Sequence, residues 1–363
     1  MNCRQPGGFA DFGISVSRQL PSPISRGPTM VIVFNLYRSH TSEQAILIFS
    51  SRHGKPTAGR EGSLVFRCQF PRRQNPSFPL SIHDINSLTH IFQAYNAAAS
   101  FVPKLTTTVL TYLDPQPDDR ILDIGCGDGA LTLQIASALS SSGQILGLDA
   151  SPSMILAAQQ TCSRSNHTNC SFHLQDCTRF SKESSAKYLN ESWDKVFSNA
   201  ALHWILRKPE TRDDVIRAVH SALKPDGIFV FEMGGFGNCG EVYAALLAAL
   251  IADGVSPVEA RQRSPWFFPS EEWMRNALEE TGFEVIKMES EYRPTKLTAS
   301  DDEDKGGLEG WVKLMAAQFL EAVRDRERAV QFVADILQSI ITKHDGTQWI
   351  GYVRLRGVAR KRT

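Results

Sequence analysis

The chain has 363 residues, 42% apolar and 21% charged, with 39 basic and 39 acidic side chains. That composition suits a globular protein with a large core, in one elaborated domain or two. No apolar run is long enough to span a bilayer, and residues 83–363 carry 29 basic against 36 acidic side chains, which excludes the basic footprint of a nucleic-acid binder.

Seven cysteines show no C-x-x-C and no metal-like pairing with histidine. A reduced, intracellular protein without a metal site is expected. Residues 1–82 hold ten Lys/Arg and three Asp/Glu and are frequent in Pro, Gly, Ser and Arg. Two apolar pieces, 31–34 and 45–49, stand isolated between polar breaks. This segment reads as a poorly ordered extension. Its Arg- and Ser-rich, acid-poor character also fits a mitochondrial transit peptide, and a gene model that starts upstream of the true start is the remaining alternative. The expected location is cytoplasmic, or mitochondrial if the extension is a transit peptide.

A globular domain is expected over 83–363. Residues 87–113 read as two helical pieces, with Ile91, Tyr95, Phe101, Leu105 and Val109 among the apolar positions. A turn at 115–119 leads to a strand at 120–124. Residues 121–129 then read ILDIGCGDG. A short apolar run enters three glycines at alternate positions, Gly125, Gly127 and Gly129, followed by Leu131, Ile135 and Leu139 at helical spacing. This is a strand–turn–helix junction. Glycine lets the backbone take positive φ and lie against a flat ligand, with the helix N-terminus pointing at it.

A second buried strand, 144–149, ends in Asp149, and a helix follows at 154–160. The third strand begins at Cys170 and exits at Asp176 and Cys177. The fourth begins at Trp193 and runs into Asn199, His203 and Trp204 through the sequence SNAALHW. A helix at 213–223 and the turn KPDG lead to a fifth strand at 228–233. Five strands alternating with helices predict a doubly wound parallel sheet. Next come a loop at 234–238 and a helix at 241–253 that is apolar on most sides. Arg261, Arg263, Trp266, Phe267 and Phe268 precede a helix capped by Ser270 and ended by Gly282. A sixth strand is expected at 283–292, a solvated acidic loop at 301–304, and helices at 307–341 with Trp311, Met315, Phe319 and Phe332 on apolar faces. A long alternating strand at 348–359 closes the chain.

Asp123 followed by G-x-G-x-G resembles motif I of the class I S-adenosylmethionine (SAM)-dependent methyltransferases, whereas dinucleotide sites carry G-x-G-x-x-G. An NAD-dependent dehydrogenase is the rival on the glycines and Asp149 alone. The SNAALHW run and LKPDG before an apolar strand add to the methyltransferase resemblance, and SNAALHW resembles the trans-aconitate methyltransferase-like branch, including malonyl-thioester methyltransferases. The resemblance covers residues 86–363. It implies an α/β fold: a Rossmann-like seven-stranded sheet with helices on both faces, an antiparallel last strand beside the sixth, and an α-helical lid over about 238–282 and 307–341. It implies SAM as cofactor, held by Asp123, Gly125, Cys126, Gly127, Gly129 and Asn199, with Asp149 and Ala150 at the ribose and Asp176 and Cys177 at the adenine. His203 and Trp204 are the implied catalytic residues. Tyr95, Arg261, Arg263, Trp266 and Trp311 are the substrate-binding candidates.

The expected activity is methyl transfer to a small-molecule acceptor, foremost O-methylation of a carboxylate of an organic acid. A carboxylate nucleophile needs no base but does need cations, and Arg207, Arg261, Arg263, Arg293 and Arg354 are available. A phenol, hydroxyl or amine of a secondary metabolite would call on His203 as base. A non-catalytic SAM-binding regulator is the third reading. A monomer with no membrane or nucleic-acid partner is expected.

Overall fold

A computed structural model describes residues 107–165, 167–180, 185–297 and 307–363, together with four strands within residues 13–69. The helical pieces expected before residue 107, which carry Tyr95 and Phe101, and the acidic tract at 301–304 lie outside the described residues. The chain divides into two units, Met1–Pro79 and Leu80–Thr363.

In the first unit β1 (Gly13–Arg18), β2 (Thr29–Arg38), β3 (Thr41–Ser50) and β4 (Arg67–Gln69) form an antiparallel sheet in chain order. The two apolar pieces that look isolated in the sequence pair with each other, Val31 opposite Ile48 and Phe34 opposite Ala45. Only Ser39 and His40 join these strands.

The second unit is built on a seven-stranded sheet of order β10-β11-β9-β8-β5-β6-β7. Its strands are β5 (Arg120–Ile124), β6 (Gln144–Asp149), β7 (Cys170–Leu174), β8 (Trp193–Asn199), β9 (Leu223–Gly234), β10 (Phe283–Lys296) and β11 (Trp349–Lys361). β5 to β9 are mutually parallel, and β11 runs antiparallel between β9 and β10. The chain winds from β5 outward to β7, then returns to place β8 on the other side of β5. The glycine turn after β5 therefore stands at the topological switch point, where ligands of open α/β sheets bind.

Helices cover both faces because the strands are apolar on both. On one face α1 (Thr107–Leu113) and α2 (Ala130–Ala136) pack through Val109, Leu113 and Ile135 on Ile121, Ile145, Phe197 and Val230. α3 (Pro152–Ser165) joins them through Ile155 and Ala158 against Phe172. On the other face α5 (Arg212–Ala222) and α8 (Glu271–Glu280) cover Leu122, Val196, Phe229 and Phe231; α4 (Leu202–Ile205) precedes α5 as a single turn where the sequence suggested only a loop.

A second apolar core lies beside the sheet. It joins α6 (Gly240–Ala252), α7 (Pro257–Gln262), α9 (Gly307–Met315), α10 (Ala317–Leu320) and α11 (Arg326–Ile341) to Ile350 and Tyr352 of β11. The helical lid expected up to residue 282 is thus shorter, since Met274 and Leu278 of α8 belong to the core of the sheet. Phe332, expected on an apolar face, is exposed; α11 buries the neighbouring stripe Ala329, Val333 and Leu337 instead.

The antiparallel end of the sheet encloses a charge cluster. Glu232 on β9 is buried and accepts from Arg356 Nε at 2.6 Å and Arg293 Nη2 at 3.0 Å, with Arg354 Nε at 3.8 Å. Arg356 also reaches Glu289 and Glu291. Removing one partner of a buried ion pair leaves uncompensated charge. Glu232→Ala is therefore expected to lower unfolding free energy by about 3 kcal/mol or more. The exposed pair Arg217–Asp214 is the control, and Arg217→Ala should change stability by less than about 0.5 kcal/mol. Urea denaturation of the full chain checks both; equal effects would contradict the assignment.

Candidate functional site

The glycine turn is held by the end of β6. Gly125 and Cys126 N–H groups both donate to Leu148 O, at 2.7 and 3.0 Å. Asp149 Oδ2 accepts from Gly127 N at 3.0 Å, and its Oδ1 from Ser151 N at 2.8 Å. Asp149 thus fixes the turn and helps start α3, although Ser151 also caps that helix by accepting from Met154 N at 3.4 Å. This carboxylate therefore has a structural role. Burial raises the Asp149 pKa. Ala150 is exposed beside it.

The glycines differ in what they require. Gly125 has φ +77° and a Cβ there would overlap that of Ala201, so packing demands its absence. Gly127 has φ +56° but nothing lies within 4 Å of where its Cβ would stand. The turn is therefore open on that side. At Gly129, the N-cap of α2, a Cβ would press on the Phe172 ring at 2.6 Å.

Asp123 is buried and accepts from Thr132 Oγ1 at 2.6 Å. Burial pushes its pKa up to about 7, against the opposing hydrogen bond from Thr132. Cys126 and Cys177 are buried, and burial drives both thiols up, so neither is a nucleophile. Asp176 is exposed; its Oδ1 accepts from Thr178 N at 2.9 Å and Thr178 Oγ1 at 2.7 Å. Asn199, at the end of β8, has a buried Oδ1 without a hydrogen-bond partner among the described residues. A buried acceptor left unpaired is costly unless a ligand satisfies it.

Beyond β8 a small cavity opens, with about 50 Å³ of space for water-sized molecules. It is lined by Ala200, His203, Trp204, Asn238, Cys239, Trp266, Phe268, Trp311, Met315, Tyr352 and Arg354. Ala200 and Cys239 hold left-handed backbone, φ 54° and 50°. Such strain in non-glycine residues gathers at functional sites. The segment after α7 is pinned by Phe267 N, which donates to His203 O at 2.8 Å. Trp266 stacks on Phe268 and meets Trp204 edge-on. Trp311 Nε1 donates to the Tyr352 hydroxyl at 2.8 Å. Phe267 turns away, under the Arg212 guanidinium at 3.4 Å.

Four of the predicted residues, His203, Trp204, Trp266 and Trp311, are thereby brought together. Tyr95 lies outside the described residues. Arg261 and Arg263 are corrected: both are exposed, and Arg263 pairs with Glu259 one helical turn away at 3.0 Å. Of the other candidate clamps, Arg207 is spent on Gln318 and Arg293 on Glu232. Arg354 is the arginine that lines the cavity. It is buried, leans over the Tyr352 ring at 4.7 Å and pairs with Glu232 at 3.8 Å, and its Nε has no hydrogen-bond partner among the described residues. Cys239, Asn238 and Tyr352 escaped the sequence reading. Tyr352, Arg354 and Arg356 alternate on the last strand, and that spacing was the available signal.

The role of His203 is also corrected. The Gly234 N–H donates to its Nδ1 at 3.3 Å. A ring nitrogen that accepts carries no proton, so the proton of the neutral ring sits on Nε2. Burial, followed by the charge of Arg354, pushes the pKa down to about 3. The imidazole has no free lone pair for a proton and is neutral above pH 4. Nitrogen-edited NMR of histidine-labelled protein should show His203 as the Nε2–H tautomer, without a titration between pH 8 and 5. A midpoint near 6.5 would contradict this geometry.

A methyltransferase-domain family model matches residues 115–254. The Uncharacterized methyltransferase C70.08c of Schizosaccharomyces pombe is 36% identical over 268 residues, spanning 74% of this chain and 96% of that protein. The Malonyl-[acyl-carrier protein] O-methyltransferase of Bacillus cereus is 31% identical over 160 residues, 43% of this chain and 54% of that one. Among solved structures, the YcgJ protein from Bacillus subtilis aligns with a TM-score of 0.47 at 16% identity, covering 70% of this chain and 97% of that one. With a relative matched over nearly its whole length, the chain belongs to the class I methyltransferases, whose cofactor is S-adenosylmethionine.

Proposed function

We propose that this methyltransferase esterifies a carboxylate of a small organic acid. The observation that carries the reading is Arg354, a buried guanidinium in the cavity wall whose Nε lacks a hydrogen-bond partner among the described residues and whose ion pair with Glu232 is long, at 3.8 Å. Guanidinium and carboxylate match in charge and in fork geometry. The state of His203 supports the same reading. A phenol, hydroxyl or amine acceptor needs a group to take its proton, and His203 has no lone pair to offer. A carboxylate is already ionised. The relative in Bacillus cereus is named as an O-methyltransferase, which is compatible. The aromatic wall favours an apolar body in the acceptor, the feature expected of a secondary metabolite.

When bound, S-adenosylmethionine supplies a methyl group on a sulfonium, ready for in-line displacement by an oxygen. The residues of the switch point fit that cofactor. Asp123 would neutralise its ammonium, and the lone pairs that Asp149 does not spend on backbone would take the ribose hydroxyls. The second oxygen of Asp176 is placed for an adenine amine, and the open side of Gly127 leaves room for the cofactor. Asn199 Oδ1 is an acceptor in need of a donor. Trp204, Trp266 and Trp311 would keep water from the reacting atoms.

Gly127→Ala meets no steric overlap and should fold, at about 1 kcal/mol of backbone strain from its positive φ, but should weaken SAM binding at least about tenfold in calorimetric titration. Gly125→Ala should instead lower the melting temperature. Wild-type SAM affinity in Gly127→Ala would refute the cofactor placement. For the acceptor side, saturating SAM would hold Asp123 ionised through its ammonium, and kcat should then be flat between pH 6 and 8.5. A limb rising through that window would reveal a base and sink the carboxylate reading.

A further inference from the structure

The cavity wall narrows which acid fits. Arg354 is the one charged side chain among the described lining residues. Around it Trp204, Trp266, Phe268, Trp311 and Met315 present ring faces and a thioether. Three polar atoms of the same wall are already engaged. Trp311 Nε1 is spent on the Tyr352 hydroxyl, His203 Nδ1 on Gly234 N, and Asn238 Oδ1 on Val353 N at 3.0 Å. Trp266 and Phe268 stack with ring centroids 5.8 Å apart, so the wall is built from packed ring planes.

We infer that the acceptor is a monocarboxylic acid with an apolar, planar body, aromatic or conjugated, and not a polycarboxylate. The inference rests on the carboxylate reading above and goes beyond it. One guanidinium matches one carboxylate. A second carboxylate would meet aromatic carbon and lose its water without gaining a described cation. A flat unsaturated body gains stacking on the same rings that would repel that charge. In the transfer, a carboxylate oxygen forms the new O–C bond as the S–C bond breaks. The electron pair of that bond stays on sulfur, and no proton moves. The products are a methyl ester and S-adenosylhomocysteine. The trans-aconitate-like acceptor suggested by the SNAALHW run therefore fits this wall poorly, since it carries three carboxylates.

The test is calorimetric titration of the full chain, saturated with S-adenosylhomocysteine so that no reaction occurs, using trans-cinnamate, trans-cinnamamide and trans-aconitate. Cinnamate should bind most tightly. Cinnamamide, isosteric but uncharged, should bind about 10- to 100-fold more weakly, and trans-aconitate should bind no better than the amide. Tighter binding of trans-aconitate than of cinnamate would overturn the monocarboxylate inference and leave the carboxylate reading standing. Equal binding of cinnamate and cinnamamide, or no binding of either acid at millimolar concentration, would overturn both.

Discussion

A single buried carboxylate conditions the chemistry of this protein. Glu232 lies near the end of β9 among three guanidiniums from β10 and β11. Two of these are close enough to bond it, and the third, Arg354, remains 3.8 Å away. Charges in such surroundings persist only when paired. The cluster therefore joins the antiparallel strands to the parallel sheet and brings its most loosely held guanidinium, Arg354, to the cavity wall. That placement has two effects. It offers a site for an anion, and it adds to burial in keeping His203 neutral.

The glycine turn depends on a comparable economy at the other side of β8. Asp149 holds the turn by accepting its backbone N–H groups, while Asp123 is kept so dry that its proton is retained up to about pH 7. Both carboxylates are preorganised before any ligand arrives. Between them and the cavity, Asn199 and the left-handed Ala200 form the link from cofactor side to acceptor side. Ala200 N is bonded to Glu232 O at 2.8 Å, which connects this link to the charge cluster. A cofactor site and an acceptor site that share a strand end are what an in-line transfer requires.

Most of the fold was legible because apolar periodicity and punctuation agree. The strands 120–124 and 144–149 were read to the residue, since each is a continuous apolar run bounded by turns. Ser270 and Gly282 marked α8 through a cap and a left-handed terminus. The site was legible where the chain itself makes the contact, as in the glycine turn and the run from Asn199 to Trp204. It was not legible where the contact depends on tertiary packing. Arg261 and Arg263 precede the aromatic run in sequence, yet α7 carries them to the surface. Arg354 stands 93 positions beyond Arg261 and reaches the cavity through strand register with Gly234. The tautomer of His203 rests on one backbone N–H, which no pattern of residues reveals.

The most direct test of the account is the chemical nature of the methylated product. The full chain is incubated with methyl-labelled SAM and a mixed pool of small carboxylic acids, phenols and amines. The products are then treated with mild alkali. Label released as methanol would identify a methyl ester, the result predicted by a site with a guanidinium in its wall and no base. Label that survives alkali, as in an aryl ether or a methylated amine, would contradict it.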